Sequence, residues 1–194
     1  DMEQREVEKL SATLDALLLN PVFTALLAQR DRAGLLEATA PVLRELKHQH
    51  GIGLWTFIEP EPARTCFLRV HRPELSGDLV RLMALDAAIR TGVAASGIEL
   101  DRTALAFRVV RPVVLKGRIQ GYVELGEGIE GFLARLKRET GDDFALVMHK
   151  GFLEEGAWAA SRGVGRNNWS DDPEVVTVEA TSPDVLVPGA IGDV

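Results

Sequence analysis

The chain has 194 residues, 46% hydrophobic and 26% charged, an ordinary globular mixture large enough for one domain with a sizeable core. Its formal net charge is −7 and it has no basic stripe, which leaves nucleic acid and anionic lipid little to bind. No apolar run reaches the length that spans a bilayer and no signal-peptide core is visible, so any anchor is expected outside this chain. The one cysteine, Cys66, cannot form an internal disulfide, and cysteine usage leaves the compartment open.

Leu10, Leu14, Leu17 and Leu18 follow the i, i+4, i+7, i+8 stripe of an amphipathic helix, preceded by the charged stretch Glu3 to Lys9. Asn20-Pro21 has the form of an N-cap followed by proline at the first helical position, opening a helix with Val22, Phe23, Leu26 and Leu27. A third helix starts at Asp31, with Leu35, Leu36, Val42, Leu43 and Leu46 inward, a kink or restart expected at Pro41, and Gly51 at its end.

From Gly53 the texture becomes β-branched and aromatic. Leu54 to Ile58 and Cys66 to His71 read as two strands of a hairpin around Glu59-Pro60-Glu61-Pro62. Leu79 to Ile89 returns to helical period, and Gly92 to Gly97 reads as loop. Leu105 to Leu115 and Arg118 to Leu125 are two strands joined by Lys116-Gly117. Gly128 to Thr140 is an amphipathic helix ended by Gly141, and Phe144 to His149 is a fifth strand. Hairpins dominate, so the class is α+β with an antiparallel sheet. After Gly151 one helix (Glu154 to Arg162) and one strand (Glu174 to Ala180) are expected. The tail from Ser182 to Val194, with Pro183, Pro188, Gly189 and Gly192, is expected to be partly disordered.

Enzyme motifs are missing: there is no G-x-S-x-G, phosphate loop or zincin helix. His48 and His50 lie two apart on a helix and point to different faces, which fits a solvated helix end better than a metal site. Cys66 and His71 are five apart on a strand and are expected on opposite faces, so Cys66 reads as a buried core thiol. Asn168-Trp169-Ser170 matches the glycosylation sequon, a pattern short enough to arise by chance.

The informative feature is polar residues inside strands that should be core. Arg69 and His71 alternate with Leu68 and Val70, Arg108 with Phe107 and Val109, and Tyr122 and Glu124 with Val123 and Leu125. One reading is a solvated sheet face laced by ion pairs. The other places Arg69, His71, Arg108, Tyr122 and Glu124 on one concave, covered face that binds a small anion. Periodicity alone leaves both open.

Three segments resemble the Cache superfamily, in particular its extracytoplasmic double sensory domains of bacterial sensor kinases and chemoreceptors. They are Phe67-Leu68-Arg69-Val70-His71-Arg72-Pro73-Glu74 with Gly77-Asp78, Leu105 to Val113 ending in Arg111-Pro112-Val113, and Gly117 to Gly126, which reads G-R-I-Q-G-Y-V-E-L-G. The resemblance covers roughly residues 54 to 127 in order. Arg72 stands where the family often has asparagine, and Leu75-Ser76 replaces its usual residues before Gly77-Asp78. The resemblance implies a PAS-like five-stranded antiparallel sheet with long N-terminal helices. On this reading residues 1–150 form one sensor module, and residues 151–194 an extension packed on it.

The resemblance tips the polar cluster towards a pocket. The expected function is the extracytoplasmic sensor domain of a transmembrane receptor, without catalytic residues, cofactor or metal, that binds an acetate-like carboxylate and transmits a conformational signal. Arg69 and Arg108 are expected to grip the carboxylate, His71 and Tyr122 to donate, Glu124 to orient an arginine, and Trp55 and Phe57 to wall the pocket. The charge argument is that two covered arginines need anionic compensation and one glutamate supplies only half. The alternative is an interaction module whose polar sheet face meets a periplasmic protein. Pairing of two copies through the N-terminal helix is also expected.

Overall fold

The computed structural model describes residues 2–101, 104–162 and 167–185. The expectation for the tail beyond residue 185 lies outside the described residues. The chain divides into two compact units, one comprising residues up to Asp101 with Ala106–Gly128, the other running from Ile129 onward with the short stretch before Ala106. The division by contacts falls at Gly128.

The first unit opens with three helices, α1 (Met2–Leu18), α2 (Pro21–Ala28) and α3 (Arg32–His50). Their ends form where the capping residues stand. Asn20 Oδ1 accepts from the Val22 N–H at 3.0 Å, Asp31 Oδ1 accepts from Gly34 N–H at 2.9 Å, and Gly51 closes α3 in the left-handed region at φ 74°. Pro41 sits inside α3, which continues through it as one helix. Leu10 and Leu14 of α1, Phe23 and Leu27 of α2, and Leu35 and Leu43 of α3 are buried.

Five strands follow: β1 (Ile52–Ile58), β2 (Cys66–Arg69), β3 (Ala95–Leu100), β4 (Leu105–Leu115) and β5 (Arg118–Gly128), with α4 (Met83–Thr91) between β2 and β3. They form one sheet in the order β2-β1-β5-β4-β3, the antiparallel PAS-like sheet that the α+β reading anticipates. The fifth strand is β3, over a segment the sequence reading began as loop. Helix α4 starts at Met83 instead of Leu79, because Leu79 bridges to Thr65 and Val80 N–H donates to Arg64 O at 3.0 Å.

Register sorts the side chains into two faces. Thr56 lies opposite both Arg69 and Glu124, Ile58 opposite Tyr122, and Val110 opposite Glu124, so these share one face. Trp55 pairs with Leu125 and Phe57 with Val123 and Leu68 on the other. That second face packs under the N-terminal helices, with Phe23 edge-on to Trp55 at 5.5 Å and Trp55 stacked on Phe57 at 5.6 Å. The first face is covered by α4 and the segment before it: Val80, Leu82, Leu85 and Ala88 form a core with Ile58, Cys66, Val110 and Tyr122.

The close pairing of β1 and β5 depends on Gly121, at φ 157°, where an added Cβ would lie 2.5 Å from Ile58 O. A bulge between Phe57 and Ile58 breaks the alternation of β2 at Phe67 and brings Cys66 opposite Ile58, onto the face of Arg69.

The second unit holds α5 (Ile129–Thr140), β6 (Ala145–His149), α6 (Glu155–Arg162) and β7 (Val175–Ala180). β6 pairs antiparallel with β7 in a separate two-stranded sheet, so it is not the fifth strand of the main sheet. Asn168 of the sequon is engaged: its Oδ1 accepts from Trp158 Nε1–H at 3.1 Å and its Nδ2 donates to Thr177 O at 2.9 Å. The amide nitrogen that a glycan would need is therefore in use.

Candidate functional site

The covered face of the first unit carries buried charge. Relative exposure is 2% for Arg69, 0% for Arg108, 1% for Glu124 and 1% for Thr56. Burial of this depth excludes a solvated sheet face. It also leaves the polar face unavailable as a docking surface for a partner protein, the alternative raised by the sequence.

Arg108 on β4 donates from Nε to Glu99 O at 3.1 Å, from Nη2 to Asp101 Oδ1 at 2.9 Å, and from Nη1 to Glu124 Oε1. Arg69 on β2 meets Asp78 with both prongs, Nη1 to Oδ1 at 2.6 Å and Nη2 to Oδ2 at 2.9 Å, and Nη1 also donates to Leu75 O at 3.1 Å. Burial works against both charges, and the carboxylates more than offset it, so both guanidiniums are held above their usual pKa. The two guanidiniums thus already have Asp78, Asp101 and Glu124 as carboxylate partners. The argument that a bound anion is needed for charge balance therefore fails.

The loop bearing Asp78 is held against β2 by its backbone. Cys66 N–H donates to Asp78 O at 2.8 Å and Gly77 N–H to Cys66 O at 2.8 Å, while Arg32 of α3 donates to Phe67 O at 3.1 Å and to Pro73 O. Glu99 caps α4 by accepting from the N–H groups of Met83 and Ala84 at 2.5 and 2.7 Å.

His71 follows β2 in the turn that the Arg72 N–H closes on Arg69 O at 3.2 Å, and Glu124, Asp101 and Arg108 are the charges it feels. Its Nδ1 lies 3.2 Å from Trp55 N and 3.3 Å from Trp55 O. Burial lowers its pKa; Glu124 and Asp101 oppose that only in part, and Arg108 adds to it, so the ring is neutral at pH 7. Cys66 now shares this face, but burial pushes its thiol up to about 11 and Sγ lies 3.8 Å from Leu75 O.

Among the described residues, three buried polar atoms at this face or in the turn beside it have no hydrogen-bond partner: Thr56 Oγ1, Arg69 Nε and His71 Nε2. Thr56 and Arg69 are direct cross-strand partners, and His71 is two residues from Arg69. Such atoms cost free energy until something meets them. They are a hydroxyl, a guanidinium N–H and an imidazole nitrogen.

The structure brings Arg69, His71, Arg108 and Glu124 together. Trp55 and Phe57 are corrections: both lie on the opposite face, against the helices, and cannot wall this site. Tyr122 shares the face but belongs to the apolar cluster with Ile58 and Cys66. Burial raises its pKa, and the charges it feels are Glu61 and Arg64, away from the arginine pairs. Sequence reasoning missed Thr56, Asp78, Asp101 and Glu99. Thr56 had a signal, a lone hydroxyl inside the apolar run Leu54 to Ile58. His48 and His50 are exposed, and no group of three or more His, Cys, Asp or Glu side chains able to hold a metal occurs among the described residues. Among those residues no single helix is long and apolar enough to cross a membrane.

The family model for the double sensory domain of two-component sensor kinase (dCache_3) matches residues 2–173. A search of curated proteins gave no match. The family match bears out the resemblance carried by the three motifs. Domains of this kind are extracytoplasmic sensory parts of membrane sensor kinases, and they bind ligands.

Proposed function

Since the chain belongs to the family of double sensory domains of two-component sensor kinases, we propose that its first unit binds a small carboxylate of two to about four carbons on the covered face of the sheet. The observation that carries this reading is the trio of buried, unpartnered atoms, Thr56 Oγ1, Arg69 Nε and His71 Nε2. A carboxylate presents acceptor oxygens to an N–H and a hydroxyl at once. Asp78 and Glu124 hold the two guanidiniums in place, so the donors are pre-set before the ligand arrives.

The signal leaves through differential affinity for two arrangements of the N-terminal helices. Strand β5 supports this route, since it carries Glu124 at the site and Glu127, whose buried carboxylate accepts from Lys9 of α1. Pairing of two copies through α1 is part of the proposal.

The test is a thermal-shift and calorimetric screen with acetate, propionate and butyrate. For acetate, with four heavy atoms, a ceiling of about 1.5 kcal/mol per atom caps affinity near tens of micromolar. At a hundredfold excess over Kd the expected stabilisation is about 2.7 kcal/mol. Arg69→Lys and Thr56→Val should lose the response. No shift with any of the three acids would overturn the reading.

A further inference from the structure

We infer that a carboxylate entering this site takes up a proton from solvent, held on His71. The inference rests on the carboxylate reading above and deepens it: the site then responds to carboxylate and proton together, which is the composition of the undissociated acid.

The geometry around the ring carries the argument. Nδ1 lies between two backbone groups of the same residue, 3.2 Å from Trp55 N and 3.3 Å from Trp55 O. In the neutral ring Nδ1 accepts from the Trp55 N–H, and the hydrogen sits on Nε2. In the protonated ring Nδ1–H donates to Trp55 O, and Nε2 keeps its hydrogen. One ring position therefore serves both states, and gaining a proton exchanges one backbone partner for the other without moving the imidazole. In both states Nε2–H is a donor, and Nε2 is buried with no hydrogen-bond partner among the described residues.

The charges that face the ring decide which state is held. Glu124 on β5 and Asp101 after β3 favour the imidazolium, while Arg108 on β4 and burial itself disfavour it. Arg69 stands two residues away with its fork on Asp78, and Glu74 lies in the following loop within electrostatic reach of the ring. In the free site burial wins and the ring is neutral. A carboxylate bound at Nε2 adds one negative charge at hydrogen-bond distance, and an opposite charge that close moves a pKa by about 1–3 units. The sign follows: the ligand raises the His71 pKa, so binding is tightest at low pH and weakens as pH rises through the bound-state value. Between the free and bound pKa values the dissociation constant rises about tenfold per pH unit.

The experiment is calorimetry of acetate, propionate and butyrate binding from pH 6 to 8.5, repeated in buffers of different ionisation enthalpy, with histidine NMR titration of the wild-type protein free and saturated. The expected result is uptake of up to one proton per ligand, a raised His71 pKa in the saturated protein, and loss of the uptake in His71→Gln. Carboxylate binding with no proton uptake and a flat pH profile would overturn the inference and leave the carboxylate reading standing. Failure of all three acids to bind at any pH would remove both.

Discussion

Arg69 and Asp78 meet prong to prong, Nη1 on Oδ1 at 2.6 Å and Nη2 on Oδ2 at 2.9 Å, and this pairing leaves Nε as the one nitrogen of that guanidinium without a hydrogen-bond partner among the described residues. The pair does two things at once. It fastens the loop that ends in Gly77-Asp78 to β2, and it leaves a single N–H over on the residue that lies directly across from Thr56. Asp78→Ala should therefore cost about 3–5 kcal/mol of stability, because it leaves a buried guanidinium uncompensated. Denaturant unfolding measures this, and a loss under about 1 kcal/mol, within the range of an exposed ion pair, would show that the pair is not holding the loop.

Arg108→Lys separates charge from geometry. A lysine keeps the positive charge but cannot serve Glu99 O, Asp101 and Glu124 together. The expected result is destabilisation of about 2–4 kcal/mol and weaker ligand binding. A double-mutant cycle with Glu124→Gln should show coupling above about 1 kcal/mol. Additive effects would mean that Arg108 and Glu124 are neighbours without a shared energetic role.

Which parts of this site were legible follows from what local pattern encodes. Period-two alternation placed Arg69, His71, Arg108 and Glu124 on one face; the pairing register agrees for Arg69, Arg108 and Glu124, while His71 lies in the turn after β2. The caps at Asn20, Asp31 and Gly51 were legible because a cap is a property of a few adjacent residues. The sidedness of Trp55 and Phe57 relative to the arginines was not, because it depends on which residue of β1 lies opposite Arg69, and no local signal in β1 states that. Strand β3 was hidden because Ala95, Ser96 and Gly97 are small, and its one buried side chain, Glu99, caps a neighbouring helix instead of filling a core. Asp78 and Asp101 were missed as partners because they sit in segments whose path is set by tertiary contacts.

Ligand-free stability should fall in mild acid through His71. Its folded pKa is depressed by burial relative to the ordinary value of 6.5. The unfolded chain then binds the proton first, so the contribution is complete above about 6.5 and is lost as pH falls through the folded pKa. Thermal melts from pH 8 to 5.5 should show a downward slope in the wild type and a flatter one in His71→Gln. Equal slopes would mean that burial of His71 does not govern the acid response.

Gly121→Ala tests the sheet that carries the site. The added Cβ would stand 2.5 Å from Ile58 O, with Leu27 Cδ2 at 3.7 Å behind it. Backbone at φ 157° tolerates a side chain poorly, and the carbonyl it meets belongs to β1, so relief requires β1 and β5 to separate locally. The expected cost is about 1–3 kcal/mol from strain at this position. The effect should extend beyond stability, because Thr56 and Glu124 are cross-strand partners in the same β1–β5 pair. Hydrogen exchange at Ile58, Tyr122 and the flanking amides should speed up, and carboxylate affinity should drop with it. By contrast Gly117→Ala, in the hairpin turn with nothing within 4 Å of the added Cβ, meets only the strain of its own φ of 74°. It should destabilise the turn without changing affinity. If both substitutions lower affinity equally, the close β1–β5 approach at Gly121 is not what positions the site.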